Sequence, residues 1–587
     1  MNNHLIRILN SVINKEQIEP QKIELRDLCL ICNSELNRSN LYKEFRVCDK
    51  CNFHYSISAR DRINLLSDED SFEEFNQSLS SIDPIKFSSN SSYKERLIKD
   101  QNRTGLSEAV ITGKCTIDGN PVILIVLDFG FMGGTISSVV GEKVALGFEK
   151  ASKLKLPVIS VISSGGSRYQ EGILSLMQMA KTTISHQNHA SKNLPFISIL
   201  TNPATGQAFA SFANLADIIL AEPGSIIGFS PVRHLQPESN SDNESINTAE
   251  SHFENGMIDA IVDRKEQKKI IGTLLDLLTT EYKLESKTKS PTMPIKTKQN
   301  NGWKSIQISR HTSRPSSIDY IIRILNDFIE IHGDKYYKDD ENIIVGIGHL
   351  GSQTVVIIAQ DRNRGNNGST SPEGFRKAQR GIKLASKFNL PLITLVDTPG
   401  PNSNESTEQR GLGHSIATTL SKMISLEVPS ISVIIGEGGN SGALAIGVSD
   451  KILMMENAIY TVISPENAAE ILYQDKNRAE EASQSLKITA SDCFNLGIID
   501  IVIPEPSGGA HTNPDEAARQ LRKYLLKELS GLYSISKRRR LKSRYKRFRK
   551  VGEYSSSFKI SLNREITSIQ KTILSKMKKS TTTKDNN

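Results

Sequence analysis

The sequence predicts an α/β fold built twice in one chain, behind a small cysteine-rich ribbon. Three observations carry this expectation. Residues 434–447, IIGEGGNSGALAIG, read as a buried strand that runs through a glycine-rich turn into a helix. The stretch PFISIL-TNPATGQA at 195–208 echoes the PSISVI that leads into that turn, with Pro195 and Pro429 placed 234 positions apart. Near the start, Cys29, Cys32, Cys48 and Cys51 form two CxxC knuckles separated by fifteen residues. Backbone N–H groups in a glycine turn point outward, and the helix behind adds partial positive charge, so the turns are candidate oxyanion sites.

Length and composition set the frame. A chain of 587 residues exceeds one core and predicts two or more domains. Residues 1–4, MNNH, begin no signal peptide, and no apolar run approaches a membrane span, so a soluble, cytoplasmic protein with no membrane contact is expected. The formal charge of +8 is concentrated near the C-terminus and describes a tail better than a surface. Six cysteines are too few and too clustered for a disulfide scaffold.

Each CxxC knuckle presents two thiolates from a tight turn. Together they complete the tetrahedral all-cysteine shell that zinc prefers, which leaves no open position for chemistry and predicts one structural Zn2+ over 25–56. Cys115 and Cys493 lack such neighbours and read as core residues. Ser58 opens a helix in SARDR, and the polar, serine-rich stretch 71–99 reads as a surface wrap. Two apolar runs at 109–113 and 122–128, parted by Asp118-Gly119-Asn120-Pro121, predict an antiparallel hairpin. A helix over about 138–153 follows, then a buried strand at 157–162 that ends in Ser163-Ser164-Gly165-Gly166-Ser167-Arg168.

The second half repeats these features. Residues 355–361 answer 122–128, 391–400 answer 157–166, and Ser464-Pro465 answers Ser230-Pro231, the last two again at an offset of 234. Chance does not hold such a register through strands and turns alike, so two homologous domains are predicted, over 57–285 and 304–535, joined by a linker at 286–303 rich in Lys, Thr, Pro and Asn. The remainder, 536–587, begins with the basic run SKRRRLKSRYKRFRK. A solvated helix is the plainer reading of that run, ahead of contact with nucleic acid or an acidic protein.

These motifs resemble a known family. Residues 29–62, with their four cysteines and SARDR, are similar to the zinc ribbon and first helix of the acetyl-CoA carboxylase carboxyltransferase beta subunit. FMGG at 131–134, SGGSRYQE at 164–171, SLMQMAKT at 175–182 and Ala221-Glu222-Pro223 extend the likeness. The second half resembles the alpha subunit, through SPEGFRKA at 371–378, Asp397-Thr398-Pro399-Gly400, the glycine stretch, VISPE at 462–466 and IPEPSGGAH at 503–511. The order in one chain looks like a fusion of the two.

The resemblance implies crotonase-like (ClpP/crotonase superfamily) domains of repeated beta-beta-alpha units. It implies transfer of carboxylate from carboxybiotin, held on a biotin carboxyl carrier protein, to acetyl-CoA, giving malonyl-CoA for fatty acid synthesis. Biotin carboxylase would be a separate partner, since neither an ATP-grasp signature nor a biotinyl-lysine motif is present. A homo-oligomer, a dimer of fused chains, is the expected assembly. Two anions form in such a transfer, so two oxyanion holes are needed. Carried over residue by residue, they fall on Gly206 and Gln207 and on Ser441 and Gly442, where the family usually has Gly-Gly. Gly165, Gly166, Gly438 and Gly439 line the substrates on this reading, and Arg168 and Arg410 are candidate contacts for CoA phosphates against the commoner use of such arginines in buried ion pairs. The alternatives are a propionyl-CoA type carboxyltransferase, which usually lacks the ribbon, and a noncatalytic regulatory or nucleic-acid-binding derivative.

Overall fold

A computed structural model describes residues 27–87, 92–229, 247–279, 302–549 and 551. Ser230-Pro231, most of the linker and the last 36 residues lie outside the described residues.

The first half is an eight-stranded sheet. It holds β1 (Glu73–Phe75), β2 (Val110–Ile117), β3 (Asn120–Leu127), β4 (Val158–Ser164), β5 (Phe196–Thr205), β6 (Ile218–Ala221), β7 (Ile227–Gly228) and β8 (Ala260–Ile261). Its order is β1-β2-β3-β4-β5-β6-β8, with β7 added onto the end of β5. The second half supplies β9 (Asn326–Ile331), β10 (Ile343–Leu350), β11 (Gln353–Gln360), β12 (Leu392–Thr398), β13 (Ser430–Gly439), β14 (Lys451–Met455), β15 (Ile459–Thr461) and β16 (Ile501–Ile503). Read from the other edge, its order is the same: β9-β10-β11-β12-β13-β14-β16, with β15 on the end of β13.

Register follows the sequence offset. The hairpin β2–β3 pairs Val110 with Leu127 and Ile117 with Asn120 around the Asp118-Gly119 turn, where Gly119 has φ +76°. Parallel pairing of β4 with β5 matches Val158 to Phe196, and β12 with β13 matches Leu392 to Ser430, each partner shifted by 234. Helices cover the sheets, so strands such as IIVGIGHL and VISVISS are buried almost throughout. The Ser138–Leu154 helix starts where Ser137 caps Val140 N–H and stops at Lys155, which takes φ +57°.

The halves share one hydrophobic core. At the seam, Lys387 pairs with Asp217 at 2.6 Å and Arg380 with Asp259 at 2.8 Å, while the rings of Phe253 and His332 lie 4.8 Å apart.

Two expectations change. The stretch 71–99 is more than a wrap: β1 pairs antiparallel with β2, and the Tyr93–Thr104 helix buries Tyr93 and Leu97, the tyrosine donating to Glu171 at 2.7 Å. The basic run forms a helix, Lys537–Arg549, that is solvated on its outer face, as expected, and docked on its inner one, which the sequence does not predict. Arg544 is buried, pairs with Asp450 at 2.7 Å and donates to the carbonyls of Met423, Ile424 and Leu426, which end a neighbouring helix. Three arginines, Arg540, Arg544 and Arg547, therefore serve the fold, and only the outward residues keep their charge in water.

Candidate active site

The four cysteines converge. Their Sγ atoms all lie within 4.8 Å of one another, with Cys29 to Cys51 at 3.6 Å and Cys32 to Cys48 at 3.7 Å. A zinc–sulfur bond of about 2.3 Å places tetrahedral sulfurs about 3.8 Å apart, so the donor set fits Zn2+. Backbone carbonyls and amides shape each knuckle, for example Asn33 N–H to Cys29 O and Asn52 N–H to Cys48 O, both 3.0 Å.

The ribbon is anchored through Glu222. Arg264 donates to Phe45 O at 2.7 Å and pairs with Glu222 at 2.8 Å, and Arg62 of SARDR reaches the same carboxylate at 2.5 Å. Burial alone would raise the Glu222 carboxyl, but the two guanidiniums outweigh it and hold it well below the usual carboxylate range. Two motifs that are 160 positions apart in sequence thus form one buried ion triad.

The glycine turns are duplicates at the level of single hydrogen bonds. In the first, Gly166 N–H donates to Ser164 Oγ at 3.2 Å, Ile136 N–H to Gly166 O at 2.8 Å and Arg168 N–H to Ile136 O at 3.0 Å. In the second, Gly400 N–H donates to Thr398 Oγ1 at 3.1 Å, Thr370 N–H to Gly400 O at 3.3 Å and Asn402 N–H to Thr370 O at 2.9 Å. Gly166 has φ +113° and Gly400 φ +144°, a region that favours glycine.

Against each of these lies the strand-to-helix turn named in the sequence. A Cβ on Gly206 would stand 2.8 Å from Gly166 Cα, so Gly165, Gly166, Gly206 and Gln207 are one cluster. A Cβ on Gly439 would overlap Pro399 O and one on Gly442 would meet Pro401 N at 2.8 Å, so Gly439 and Gly442 lie against Pro399-Gly400-Pro401, while Gly438 pairs with Thr398. The amides that open the helices Gly206–Phe209 and Asn440–Gly447 have no earlier carbonyl of their own helix to bond. Ser441 N–H is engaged, however, by Asn440 Oδ1. Gln207 is buried with its Oε1 unpartnered among the described residues.

Asn440 was not singled out in the sequence. In the structure it is the counterpart of Gly206, so the pair Ser441–Gly442 sits one residue deeper in its helix than Gly206–Gln207 does. The 234-residue register itself carried that signal.

Beneath the second turn, Glu437 is held by Arg310 at 2.7 Å and Arg362 at 3.5 Å, and Arg310 also reaches Glu466 at 2.7 Å. Burial pushes Asp397 up to about 6, opposed by Arg362 and by the Glu437 N–H at 2.8 Å. Arg314 pairs with Glu505 at 2.6 Å and donates to Ile435 O. The acidic residues of the ISPE and PEPSGGAH motifs are therefore braces for the strand that carries the turn.

The two arginines read as phosphate contacts have other partners. Arg168 is fully buried, pairs with Glu108 at 2.7 Å and donates to Thr135 O at 3.1 Å, which leaves no face for a ligand. Arg410 pairs with Glu373 at 3.1 Å and lies 5.1 Å over the Tyr337 ring; neither partner belongs to a glycine turn.

Comparison with known proteins agrees with this geometry. A family model described as acetyl co-enzyme A carboxylase carboxyltransferase-like matches residues 250–552. The chain is 40% identical over 538 residues to the acetyl-coenzyme A carboxylase carboxyl transferase subunits beta/alpha of Clostridium tetani, covering 90% of this chain and 93% of that one. Against the alpha subunit of Staphylococcus aureus it is 43% identical, over 48% of this chain and 89% of that one. Among solved structures, a transcarboxylase 12S hexamer with methylmalonyl-coenzyme A bound superposes with a TM-score of 0.65 at 23% identity, covering 80% and 89% of the two chains, which shows the shared fold. The family model spans the second sheet and its glycine turn, the relative covers 90% of the chain, and the chain belongs to the acetyl-CoA carboxylase carboxyltransferase family, in its fused beta/alpha form.

Proposed function

We propose that this chain is the carboxyltransferase of an acetyl-CoA carboxylase, moving carboxylate from carboxybiotin on a separate carrier protein to acetyl-CoA to give malonyl-CoA. The observation that carries the reading is the duplicated turn, two strand-to-helix junctions built on the same hydrogen-bond frame. Removing a proton from the acetyl methyl group leaves an enolate, whose oxygen charge falls to the Gly206–Gln207 turn. Release of CO2 from carboxybiotin leaves charge on the ureido oxygen, which falls to the turn at 440–442. Preorganised N–H donors of this kind stabilise such charge by about 3 kcal/mol each. The biotin anion takes the methyl proton, the enolate carbon bonds CO2, and no side-chain base is needed.

Zinc at the four cysteines is structural on this reading, since all four positions are filled by protein. Biotin carboxylase and the biotin carboxyl carrier protein are separate partners. Two large cavities lie between the halves of one chain, about 600 and 660 Å3, and no glycine-turn residue lines either. A cleft joining the two turns is then best closed by a second copy. Exposed apolar side chains support this: Tyr169, Ile173 and Phe229 beside the first turn, and Leu444 and Val462 beside the second. A cytoplasmic setting suits this chemistry.

The reverse reaction tests the proposal, with malonyl-CoA and a free biotin analogue followed as acetyl-CoA release. Wild-type turnover that Gly442→Val abolishes without loss of fold supports it. Absence of turnover in zinc-loaded protein, also after Gln207→Gly and Ser441→Gly, would transfer the reading to a noncatalytic relative of the same fold.

A further inference from the structure

The 660 Å3 groove between the halves has an unusual lining. One wall is residues 214–219 of the first half; the other is formed by the Pro372–Lys387 and Leu412–Ser425 helices of the second. Cations dominate it, and most have carboxylate partners, as Lys387 has Asp217 and Arg376 has Asp334 at 2.7 Å. Lys383 and Lys422, both exposed, form no ion pair, although Asp217 feels the field of Lys383. Among the described residues no carboxylate lies within ion-pair distance of either, and Lys422 Nζ donates only to Gln379 Oε1 at 3.0 Å. Burial, and next the field of Lys383, lowers the Lys422 ammonium, so the two side chains sense each other. Lys422 in the last turn of its helix partly offsets that helix's dipole, but Lys383 lies a full turn before the end of its own and gains little from it.

We infer that Lys383 and Lys422, with Gln379 beside them, bind a small anion that carries a pyrophosphate group. Two ammonium point charges match two adjacent phosphates, whereas one carboxylate leaves a cation unneutralised. The volume lies in the range of small-molecule sites and exceeds what a lone phosphate fills. Tyr336, 79% exposed on the same groove, offers a ring face to a base if the pyrophosphate is borne by a nucleotide.

This site is separate from the glycine turns. Lys383 and Lys422 sit in helices that lead into the starts of β12 and β13, and Asp217 bonds the start of β5. The second turn packs against the start of the Pro372–Lys387 helix, so Lys383, eleven residues further on, stands about 16 Å from it along the helix axis at about 1.5 Å per residue. A ligand here touches both halves, and because no glycine-turn residue lines the groove the site is assigned to an effector.

Calorimetric titration of the full chain with inorganic pyrophosphate, and separately with ATP, tests the inference. Saturable binding is expected, weakened at least tenfold in Lys383→Ala/Lys422→Ala and retained in Lys383→Arg/Lys422→Arg. Tighter binding of ATP assigns a nucleotide, and tighter binding of pyrophosphate the free ion. Absence of saturable binding to wild type, or equal binding by the alanine variant, overturns it. So does a KM for malonyl-CoA that rises in the alanine variant in step with the lost binding, because the groove would then be holding the pyrophosphate of the acyl-CoA substrate. The titration needs no turnover, so its failure is distinct from failure of the carboxyltransferase reading.

Discussion

Gly206 and Asn440, 234 positions apart, hold the same left-handed backbone, φ +65° and φ +57°, at the first residue of the helix that follows β5 and β13. Glycine enters that region freely, and asparagine is among the few other residues that do so at low cost. The duplicated fold thus keeps its pivot while the side chain differs, and the difference matters because Asn440 Oδ1 accepts the N–H of Ser441.

Asn440→Gly is expected to fold normally and to keep or raise turnover, since it removes a competitor for that amide. Gly206→Val is expected to abolish turnover: its Cβ would press on Gly166 Cα, and the left-handed backbone adds roughly 1–2 kcal/mol of strain. Loss of turnover in Asn440→Gly, with the fold intact, would instead make the side chain itself a ligand.

One zinc per chain is expected at Cys29, Cys32, Cys48 and Cys51, released by a strong chelator or by acid. Cys48→Ser should lose the metal and loosen the ribbon, because neither knuckle completes a site alone. Metal analysis together with proteolysis near residue 45 checks this, and metal-free protein with an intact ribbon would contradict it.

Arg168→Ala should act on stability, not on substrate affinity. Glu108 would be left as a buried, unpaired carboxylate, at a cost of about 3–5 kcal/mol. Thermal unfolding should shift down by several degrees while KM for malonyl-CoA in the surviving fold is unchanged. A raised KM with normal stability would restore the phosphate-contact reading.

Acid should destabilise the first half through His186 and His189. Both rings pack around Phe148, and burial, reinforced by Lys387, pushes each from 6.5 down to about 4. A base depressed on folding is neutral in the folded chain and binds protons first in the unfolded one. Stability is therefore whole above about pH 6.5 and is lost as pH falls toward 4, by up to about 3 kcal/mol per ring. Urea unfolding at pH 7.5 and pH 5 should show the fall, and His186→Phe should flatten it; an equal slope in that variant would assign the acid loss elsewhere.

Strand, turn and helix periodicity, the 234-residue register and the CxxC spacing were legible in the sequence because each depends on neighbours along the chain. They led to the duplicated α/β fold, the Ser138–Leu154 helix to within a residue, the β2–β3 hairpin and the four-cysteine cluster. The partners of charged side chains depend on what the fold brings together across long separations, and these only the tertiary structure decided. Arg168 could not be told from a phosphate ligand until Glu108, 60 positions earlier, lay beside it with water excluded. The basic helix looked solvated until Asp450 and three carbonyl ends met Arg544. Lys383 and Lys422 look like ordinary surface lysines in sequence, and only the packing of two helices against residues 214–219 brings them, still exposed, to one groove with no carboxylate in ion-pair contact.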